Sequence, residues 1–246
     1  MLEFKNVSFE VIQDGKVRKI LDQINLTLSD DKFTVITGPN GGGKSTLAKL
    51  IAGIEHPTSG KIYFNGKDIT KWSITERARA GISFAFQNPV RFKGITVRDL
   101  IQLATGSMET SDNKLCTHLA EVGLCAKDYI NRDVDGSLSG GELKRIEIAT
   151  ILAKKNTVLA VFDEPEAGID LWSFHKLIGV FEKMHKKNNL GILIISHQER
   201  ILNIADEVIL ISNGNIKKQG TRQEVLPELL DIVDNCKFFQ SEDGLK

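Results

Sequence analysis

The chain of 246 residues is 41% hydrophobic and 26% charged, a composition that fits one large α/β domain and excludes disorder over most of the length. Lysine plus arginine and aspartate plus glutamate each total 32, so the net charge is zero and we expect no nucleic-acid partner, since such binders carry a basic surface. No apolar run approaches the roughly 18 residues of a membrane span, so we expect no direct insertion into a membrane.

Two strands are predicted at the N-terminus. Apolar residues alternate over residues 2–12 and again over 24–28, with a turn at Asp14-Gly15 between them. This alternation predicts half-buried strands in an antiparallel edge region. The continuous apolar run over 33–37 that follows predicts a buried strand.

The glycine-rich stretch after that strand reads G-x-x-x-x-G-K-S and precedes a helical pattern over 47–53. A phosphate-binding loop requires this order of strand, loop and helix, because the loop N–H groups and the helix start attract phosphate. Lys44 would reach the outer phosphates of a nucleotide, and the Ser45 hydroxyl would bind Mg²⁺. The alternative is a glycine-rich turn before an ordinary helix. The predicted nucleotide-binding residues of this loop are Gly38, Pro39, Asn40, Gly41, Gly42, Gly43, Lys44, Ser45 and Thr46.

The segment from 57 to 90 predicts a strand over 62–64 with a hairpin turn at Asn65-Gly66, a helix from about 72 to 81, and a strand over 82–86. Pro89 ends the last of these strands. Gln87 follows it directly and, in isolation, would be an ordinary loop glutamine.

Residues 95–135 carry apolar residues at helical spacing and predict a small helical subdomain inserted in the α/β core. The helix predicted over 138–155 opens with L-S-G-G-E. The Ser139 hydroxyl and the N–H groups of Gly140 and Gly141 offer a second anion-binding surface at this helix start. One nucleotide has no obvious need for two such helix starts in one small domain.

Two carboxylates, Asp163 and Glu164, end an uninterrupted apolar run that begins at Val158 and is typical of a central parallel strand. Next to a phosphate-binding loop, Asp163 can bind Mg²⁺ and Glu164 can position an attacking water. Without that loop they would more simply be loop or helix-capping residues. Another buried strand, over 191–197, ends at His197, which alone would be a structural histidine.

The remaining segments predict a helix over 171–187, a hairpin over 208–214, a helix at about 225–233 and a loose tail over 239–246. The three cysteines, Cys116, Cys125 and Cys236, are odd in number and lack C-x-x-C spacing. They are typical of reduced thiols in a cytoplasmic protein and fit neither a disulfide framework nor a metal site.

The order of these motifs resembles the ATP-binding cassette (ABC) ATPases across essentially the whole chain, and the L-S-G-G-E signature is specific because other phosphate-loop ATPases lack it. The resemblance implies an α/β fold of the P-loop NTPase type: a mainly parallel core sheet, an antiparallel N-terminal β subdomain and an inserted α-helical subdomain. It implies a single domain, with the catalytic core at 1–90 and 156–220, the helical subdomain at 91–155, and a C-terminal helix and tail at 221–246.

The resemblance also implies a head-to-tail dimer driven by ATP. In this arrangement Ser139, Gly140 and Gly141 of one copy cap the ATP that the phosphate loop of the other copy holds. Asp170, in the stretch Gly168-Ile169-Asp170, would belong to a loop that crosses the dimer interface. Gly38–Thr46 would then be half of a nucleotide site, and the other half would come from a second copy.

The resemblance assigns the chemistry of an ATPase that uses ATP and Mg²⁺. Glu164 is the expected catalytic carboxylate, His197 the sensor of the γ-phosphate, and Lys44 a contact to the reacting phosphates. Gln87 is expected to contact both Mg²⁺ and the nucleotide and to couple the site to a partner. The metal ligands implied are Ser45, Gln87 and Asp163.

Recognition of the base is expected to be by weak stacking. Family members often stack adenine on an aromatic residue in the first strand pair, and that place falls on Val11. The guanine-reading N-K-x-D motif is absent, because Asn113-Lys114 is followed by Leu115-Cys116. ATP is therefore the expected nucleotide.

Within the family, the chain is similar to SufC, the ATPase of the SUF iron–sulfur cluster assembly machinery, over residues 76–82, 84–90, 94–97, 144–145, 168–170 and 196–202. This similarity implies that ATP-driven dimerisation rearranges a scaffold partner like SufB or SufD, which would carry the cluster. One alternative is the ATPase subunit of an ABC transporter, docked on a membrane permease through the helical subdomain. Another is a nucleotide-gated binding module that hardly hydrolyses ATP.

Overall fold

The computed structural model describes residues 1–107, 111–188 and 190–234. Cys236 and the tail predicted over 239–246 lie outside the described residues. The strands within the described residues are β1 (Leu2–Gln13), β2 (Lys16–Leu28), β3 (Phe33–Thr37), β4 (Ser59–Phe64), β5 (Lys67–Asp68), β6 (Ile82–Ala85), β7 (Leu159–Asp163), β8 (Gly191–Ile195), β9 (Glu207–Ser212) and β10 (Asn215–Gly220). The helices there are α1 (Lys44–Ala52), α2 (Ile74–Arg79), α3 (Val97–Thr105), α4 (Asp112–Glu121), α5 (Ala126–Tyr129), α6 (Gly140–Ala153), α7 (Leu171–Asn188), α8 (Glu199–Leu202) and α9 (Arg222–Asp234).

An antiparallel sheet of four strands, in the order β2-β1-β4-β5, forms the N-terminal region. Its core face carries the alternating apolar residues of β1, which confirms that strand. β2 is longer than predicted, because the turn at Asp14 and Gly15 sets Gln13 opposite Lys16 and pairing continues from there. The first four residues of β2 are exposed and three of them are charged, so hydrophobic alternation could not mark them.

A second sheet of six strands, in the order β10-β9-β3-β8-β7-β6, forms the centre of the protein. All of its neighbouring pairs are parallel except β9 with β10. The strands β3, β7 and β8 are buried along their whole lengths, as uninterrupted apolar runs require. Since parallel strands end at the same edge, the segments after β3, β6, β7 and β8 meet there.

Helix α1 lies between the two sheets and joins them into one core. Its buried residues Leu47, Leu50 and Ile51 belong to the same apolar cluster as the inner faces of both sheets. A second cluster covers the opposite face of the central sheet and includes α3, α4, α6 and α7. The helix α1, which starts at the end of the glycine-rich loop, is therefore packed on two sides.

The helical segment predicted over 91–155 contains α3, α4, α5 and α6. Helices α3 and α6 each begin with a capping box, formed by Thr96 with Asp99 and by Ser139 with Glu142. These boxes satisfy N–H groups at each helix start. Among the described residues, no helix combines the length and apolar character needed to cross a membrane.

Helix α2 departs from its sequence pattern. Ile74 is 52% exposed although it is apolar, whereas Arg77 is fully buried although it is charged. The guanidinium of Arg77 donates hydrogen bonds to backbone carbonyls at the end of α1 and after β5, including Ile51 and Ile69. These carbonyls, supplied by distant segments, are what make an arginine the inward-facing residue of this helix.

Candidate active site

A cleft of about 580 Å³ opens at the edge where the parallel strands end. It gathers residues from β2, the glycine-rich loop and the segments after β6, β7 and β8, so the fold brings together residues far apart in the chain. Gly38 and Pro39 lie at the base of the loop, and Asp163 joins the cleft through Ser45. The lining residues are Arg18, Ile20, Asn40, Gly41, Gly42, Gly43, Lys44, Ser45, Thr46, Gln87, Glu164 and His197.

The glycine-rich loop has the geometry of an anion cradle. Gly38 has a φ of 136°, and a Cβ added there would lie 1.9 Å from the carbonyl oxygen of Ile211, so only glycine fits. Lys44 is 5% exposed, and its Nζ donates to the carbonyls of Gly38 at 2.8 Å and Pro39 at 2.9 Å. Because Lys44 is also the first residue of α1, the positive end of the helix dipole faces the same place.

Burial lowers the pKa of Lys44, while the negative charges of Glu164 and Asp163 oppose that shift. The ammonium therefore sits in a partly desolvated position with two carboxylates nearby. In such surroundings a cation is more strongly attracted to phosphate than it would be in water. The arrangement can hold the phosphates of a nucleotide.

Oxygen atoms suited to a small divalent cation lie beside the loop. Ser45 Oγ donates to Asp163 Oδ1 at 3.1 Å. Asp163 is 3% exposed, and burial raises its pKa while the bond from Ser45 lowers it. A hydroxyl and a carboxylate are the ligands that Mg²⁺ prefers, so these two residues fit the ion. Gln87 contacts a different carboxylate: its Nε2 donates to Glu164 Oε2 at 2.7 Å.

Glu164 adopts a backbone conformation that non-glycine residues rarely take, with φ at 47°. Three hydrogen bonds fix it: its N–H donates to Ile195 O at 3.0 Å, and its carbonyl accepts from Ala167 N at 3.1 Å and from Lys144 Nζ. Such a conformation persists only where the surroundings determine it, and here it directs the carboxylate to Gln87 in the cleft.

His197 follows β8 and lies on the cleft wall. Burial lowers its pKa, and the charge of Lys44 lowers it further. The imidazole is therefore neutral at pH 7, with one nitrogen that donates and one that accepts. It can donate a hydrogen bond to a phosphate oxygen in the cleft.

The signature residues Ser139, Gly140 and Gly141 are not among the described residues that line this cleft. Ser139 and Gly140 are exposed. The Ser139 N–H donates to Glu142 Oε2 at 2.7 Å, and a hydrogen bond from the hydroxyl of Tyr129 is the main cause that lowers the pKa of Glu142 to about 2. The start of α6 is thus a well-ordered helix end that faces solvent.

Two residues at or beside the cleft are not predicted from the sequence. Lys144, which belongs to the SufC-like pair 144–145, is 4% exposed and holds the backbone of Glu164. Val11, the expected place of an adenine-stacking residue, does not line the cleft, whereas Arg18, paired with it across β1 and β2, does. The turn at Asp14 and Gly15 places Arg18 opposite Val11, so the register of this hairpin is the feature of the sequence that could have predicted Arg18.

The comparisons with known proteins agree with this geometry. The family model described as ABC transporter matches residues 21–167. The chain belongs to the ABC family of ATPases. Members of this family hydrolyse ATP, so the predictions of the family, the fold and the ATPase class are confirmed.

Two relatives and one solved structure are similar to this ABC ATPase along most of its length. The uncharacterized ABC transporter ATP-binding protein MJ0035 of Methanocaldococcus jannaschii is 42% identical over 215 residues, with 85% of each chain covered. The probable ATP-dependent transporter ycf16 of Cyanophora paradoxa is 34% identical over 236 residues, which cover 89% of this chain and 88% of that protein.

The solved structure is a dimeric post-hydrolysis state of the ATP-binding cassette MJ0796 bound to ADP and Pi. It matches with a TM-score of 0.80 at 22% identity and covers 90% of this chain and 99% of that one. At this identity the match shows the cassette fold, with its parallel and antiparallel sheets.

Proposed function

We propose that this ABC ATPase is the ATP-binding and ATP-hydrolysing subunit of a membrane transporter, and that it works as a head-to-tail dimer closed by ATP. The observation that carries the proposal is the incomplete cleft. It holds the phosphate loop and the residues for hydrolysis, whereas the second anion-binding helix start, at Ser139, is exposed outside it. A second copy of the chain supplies that start to the nucleotide.

In the proposed mechanism, Lys44 and the N–H groups at the start of α1 hold the outer phosphates of ATP. Ser45 and Asp163 would hold Mg²⁺, with Gln87 as a further ligand, and the ion would supply positive charge that offsets the negative charge of the phosphates. ADP, which lacks the γ-phosphate, leaves the contact between copies weaker, so hydrolysis opens the dimer.

The reacting water is positioned by Glu164, whose carboxylate is aimed into the cleft by its fixed backbone. Gln87 donates to that carboxylate and so holds it in place. The neutral imidazole of His197 donates to an oxygen of the γ-phosphate. These roles stabilise the transferred phosphoryl group by position and charge rather than by covalent chemistry.

The transporter role is favoured over the SUF role by the relatives, because both proteins named above are described as transporter proteins. An apolar groove of about 340 Å³ between the core and the helical segment offers a place for the permease. Its lining includes Ile74, Leu100 and Phe86. Phe86 directly precedes Gln87, so a permease helix seated in the groove would lie one residue from the nucleotide cleft.

A SUF-type role with a SufB- or SufD-like scaffold is the second candidate. It is supported by the sequence similarity over residues 84–90 and 196–202, which surround Gln87 and His197. Both roles use the same ATP-driven dimer and place the partner in the same groove. They differ in whether the partner spans a membrane. The cytoplasmic placement expected from the cysteines is common to both.

Glu164→Gln tests the ATPase mechanism. We expect steady-state phosphate release to fall by about 100-fold or more, while ATP still binds, so that dimer accumulates with ATP on a sizing column. Lys44→Ala is the control that loses ATP binding and therefore dimerisation. Full phosphate release by the Glu164→Gln variant would remove the role given to Glu164. Wild-type protein that binds ATP but releases no phosphate would favour the gated binding module.

The partner is tested by affinity purification of the Glu164→Gln variant from its own cells with ATP and mild detergent. We expect a polytopic membrane protein that stays bound in ATP and is lost when Phe86→Asp alters the groove. A non-membrane scaffold protein with the same dependence on Phe86 would instead support the SUF-type role.

A further inference from the structure

Two large apolar side chains are exposed at the start of α7. Trp172 is 82% exposed and Leu171 is 62% exposed, and Trp172 is the most exposed large hydrophobic residue that the structure describes. Neither side chain packs in the core, because Phe174, Leu177 and Phe181 already fill the buried face of this helix. An adjacent tryptophan and leucine on the outer face of a helix indicate a contact surface.

The helix start that presents these side chains is rigid. Asp170 Oδ1 accepts hydrogen bonds from the N–H groups of Trp172 at 3.1 Å and Ser173 at 2.9 Å, and so caps the helix. Hydrogen bonding from the side chain and then the N–H group of Ser173 is the main reason that the pKa of Asp170 is lowered, and the Trp172 N–H adds to it. A capped helix end holds a tryptophan in a defined place, which reduces the entropy lost when a partner binds.

This surface is joined directly to the signature. A Cβ added to Gly141 would lie 2.8 Å from the carbonyl oxygen of Gly168, so the first turn of α6 touches the turn before α7. Arg145 bridges the two helices: its Nε donates to Gly141 O at 3.3 Å and its Nη1 to Ser173 Oγ at 3.3 Å. The exposed start of α6 and the Leu171–Trp172 pair therefore move as one unit.

We propose that Leu171 and Trp172 form an apolar contact with the second copy of this chain in the ATP-bound dimer. This inference rests on the proposed function, which brings the start of α6 against the nucleotide of the other copy. A surface bonded to α6 through Gly141 and Arg145 is then brought to the same copy. Tryptophan is enriched among the residues that contribute most to protein interfaces, and it supplies the apolar contact that the nucleotide itself does not.

Because the dimer is symmetric, each substitution removes the contact twice. In the Glu164→Gln background with ATP, we expect Trp172→Ala to raise the dimer dissociation constant by about 100-fold or more and Leu171→Ala by about 10-fold, measured by sedimentation velocity. Leu103→Ala is the matched control, since Leu103 is 61% exposed but lines the groove between the core and the helical segment. The dimer dissociation constant of this variant should equal that of the Glu164→Gln protein.

The fluorescence of Trp172 can show whether this side chain becomes buried in the dimer. The chain has two tryptophans, so the fluorescence of Trp172 is the difference between the Glu164→Gln protein and the same protein with Trp172→Phe. We expect ATP to protect this signal from acrylamide quenching, and the protection should grow with protein concentration. ATP affinity of the Trp172→Ala monomer, measured at low concentration, should stay unchanged and shows that the variant is folded.

The outcomes separate the two proposals. If the Glu164→Gln protein dimerises with ATP but Trp172 remains open to acrylamide and Trp172→Ala dimerises equally well, the inference is wrong and the proposed function stands. If the Glu164→Gln protein binds ATP and never dimerises, both are wrong.

Discussion

Replacing Arg77 by methionine tests how the helix that begins at the phosphate loop is held at its other end. Arg77 is fully buried and its guanidinium donates to five backbone carbonyls. Those of Leu50 and Ile51 lie in the last turn of α1, where helix carbonyls lack partners within the helix. Methionine keeps most of the apolar volume and removes all five donors.

The expected loss of stability in Arg77→Met depends on which of the five carbonyls keep another hydrogen-bond donor. Ile69 O still accepts from the N–H of Trp72 at 3.0 Å, and Leu50 O keeps a longer bond from Gly53 at 3.4 Å. Thr70 O keeps a contact with His56 Nδ1 at 3.2 Å, so Ile51 O and Trp72 O are the acceptors that lose their donor, at a cost of about 1–3 kcal/mol each. Since burying a guanidinium is itself costly, this cost is partly offset, and we expect a loss of about 2–4 kcal/mol in the free energy of unfolding.

The assay is equilibrium unfolding in urea, with Arg79→Met as the control on the same helix. Arg79 is exposed, so its replacement should change the free energy of unfolding by less than about 0.5 kcal/mol. Equal midpoints for the two variants would refute the view that the Arg77 contacts stabilise the end of α1. A lower free energy of unfolding for Arg77→Met, with an unchanged slope against urea concentration, would support it.

Two further predictions concern the cleft and the signature helix. Arg18→Ala should raise the dissociation constant of ATP by about 3- to 30-fold in an equilibrium titration, because a planar guanidinium beside Ile20 can stack on adenine; unchanged affinity would exclude this role. Burial raises the pKa of Glu147 from 4.5 to about 7, against the opposing effects of the Phe86 N–H and Lys144. The folded chain then keeps a proton that the unfolded chain releases between these values, so the contribution of Glu147 to stability falls as pH rises from 4.5 to 7 and stays low above it. Relative to wild type, Glu147→Gln should gain on the order of 1–2 kcal/mol in unfolding free energy between pH 5 and pH 8, and an equal difference at both pH values would contradict the assignment.

The edge of the central sheet could be predicted from the sequence, because buried parallel strands appear as uninterrupted apolar runs. The runs that end at Thr37, Asp163 and His197 each stop where polar residues begin, and their shared direction brings the phosphate loop, the carboxylates and His197 together.

Residues whose surroundings come from distant segments could not be predicted in this way. Arg77 is charged and lies on a short helix, so periodicity assigns it to solvent, yet two of its acceptors, Leu50 O and Ile51 O, lie more than twenty residues earlier in α1. Glu147 lies between apolar positions of α6 and likewise looks exposed. In the structure its Oε1 accepts from the Phe86 N–H at 3.1 Å, a partner from the loop after β6.

The contacts of α6 connect the two halves of the proposed nucleotide site within one chain. Lys144 of this helix bonds the backbone of Glu164, and Glu147 bonds the residue before Gln87. Gln87 and Glu164 in turn bond each other at 2.7 Å. Any shift of α6 relative to the central sheet must therefore alter this pair of residues on the cleft wall. Because the same helix begins at the exposed signature, the proposed contact with a second copy and the position of the Glu164 carboxylate depend on one rigid element.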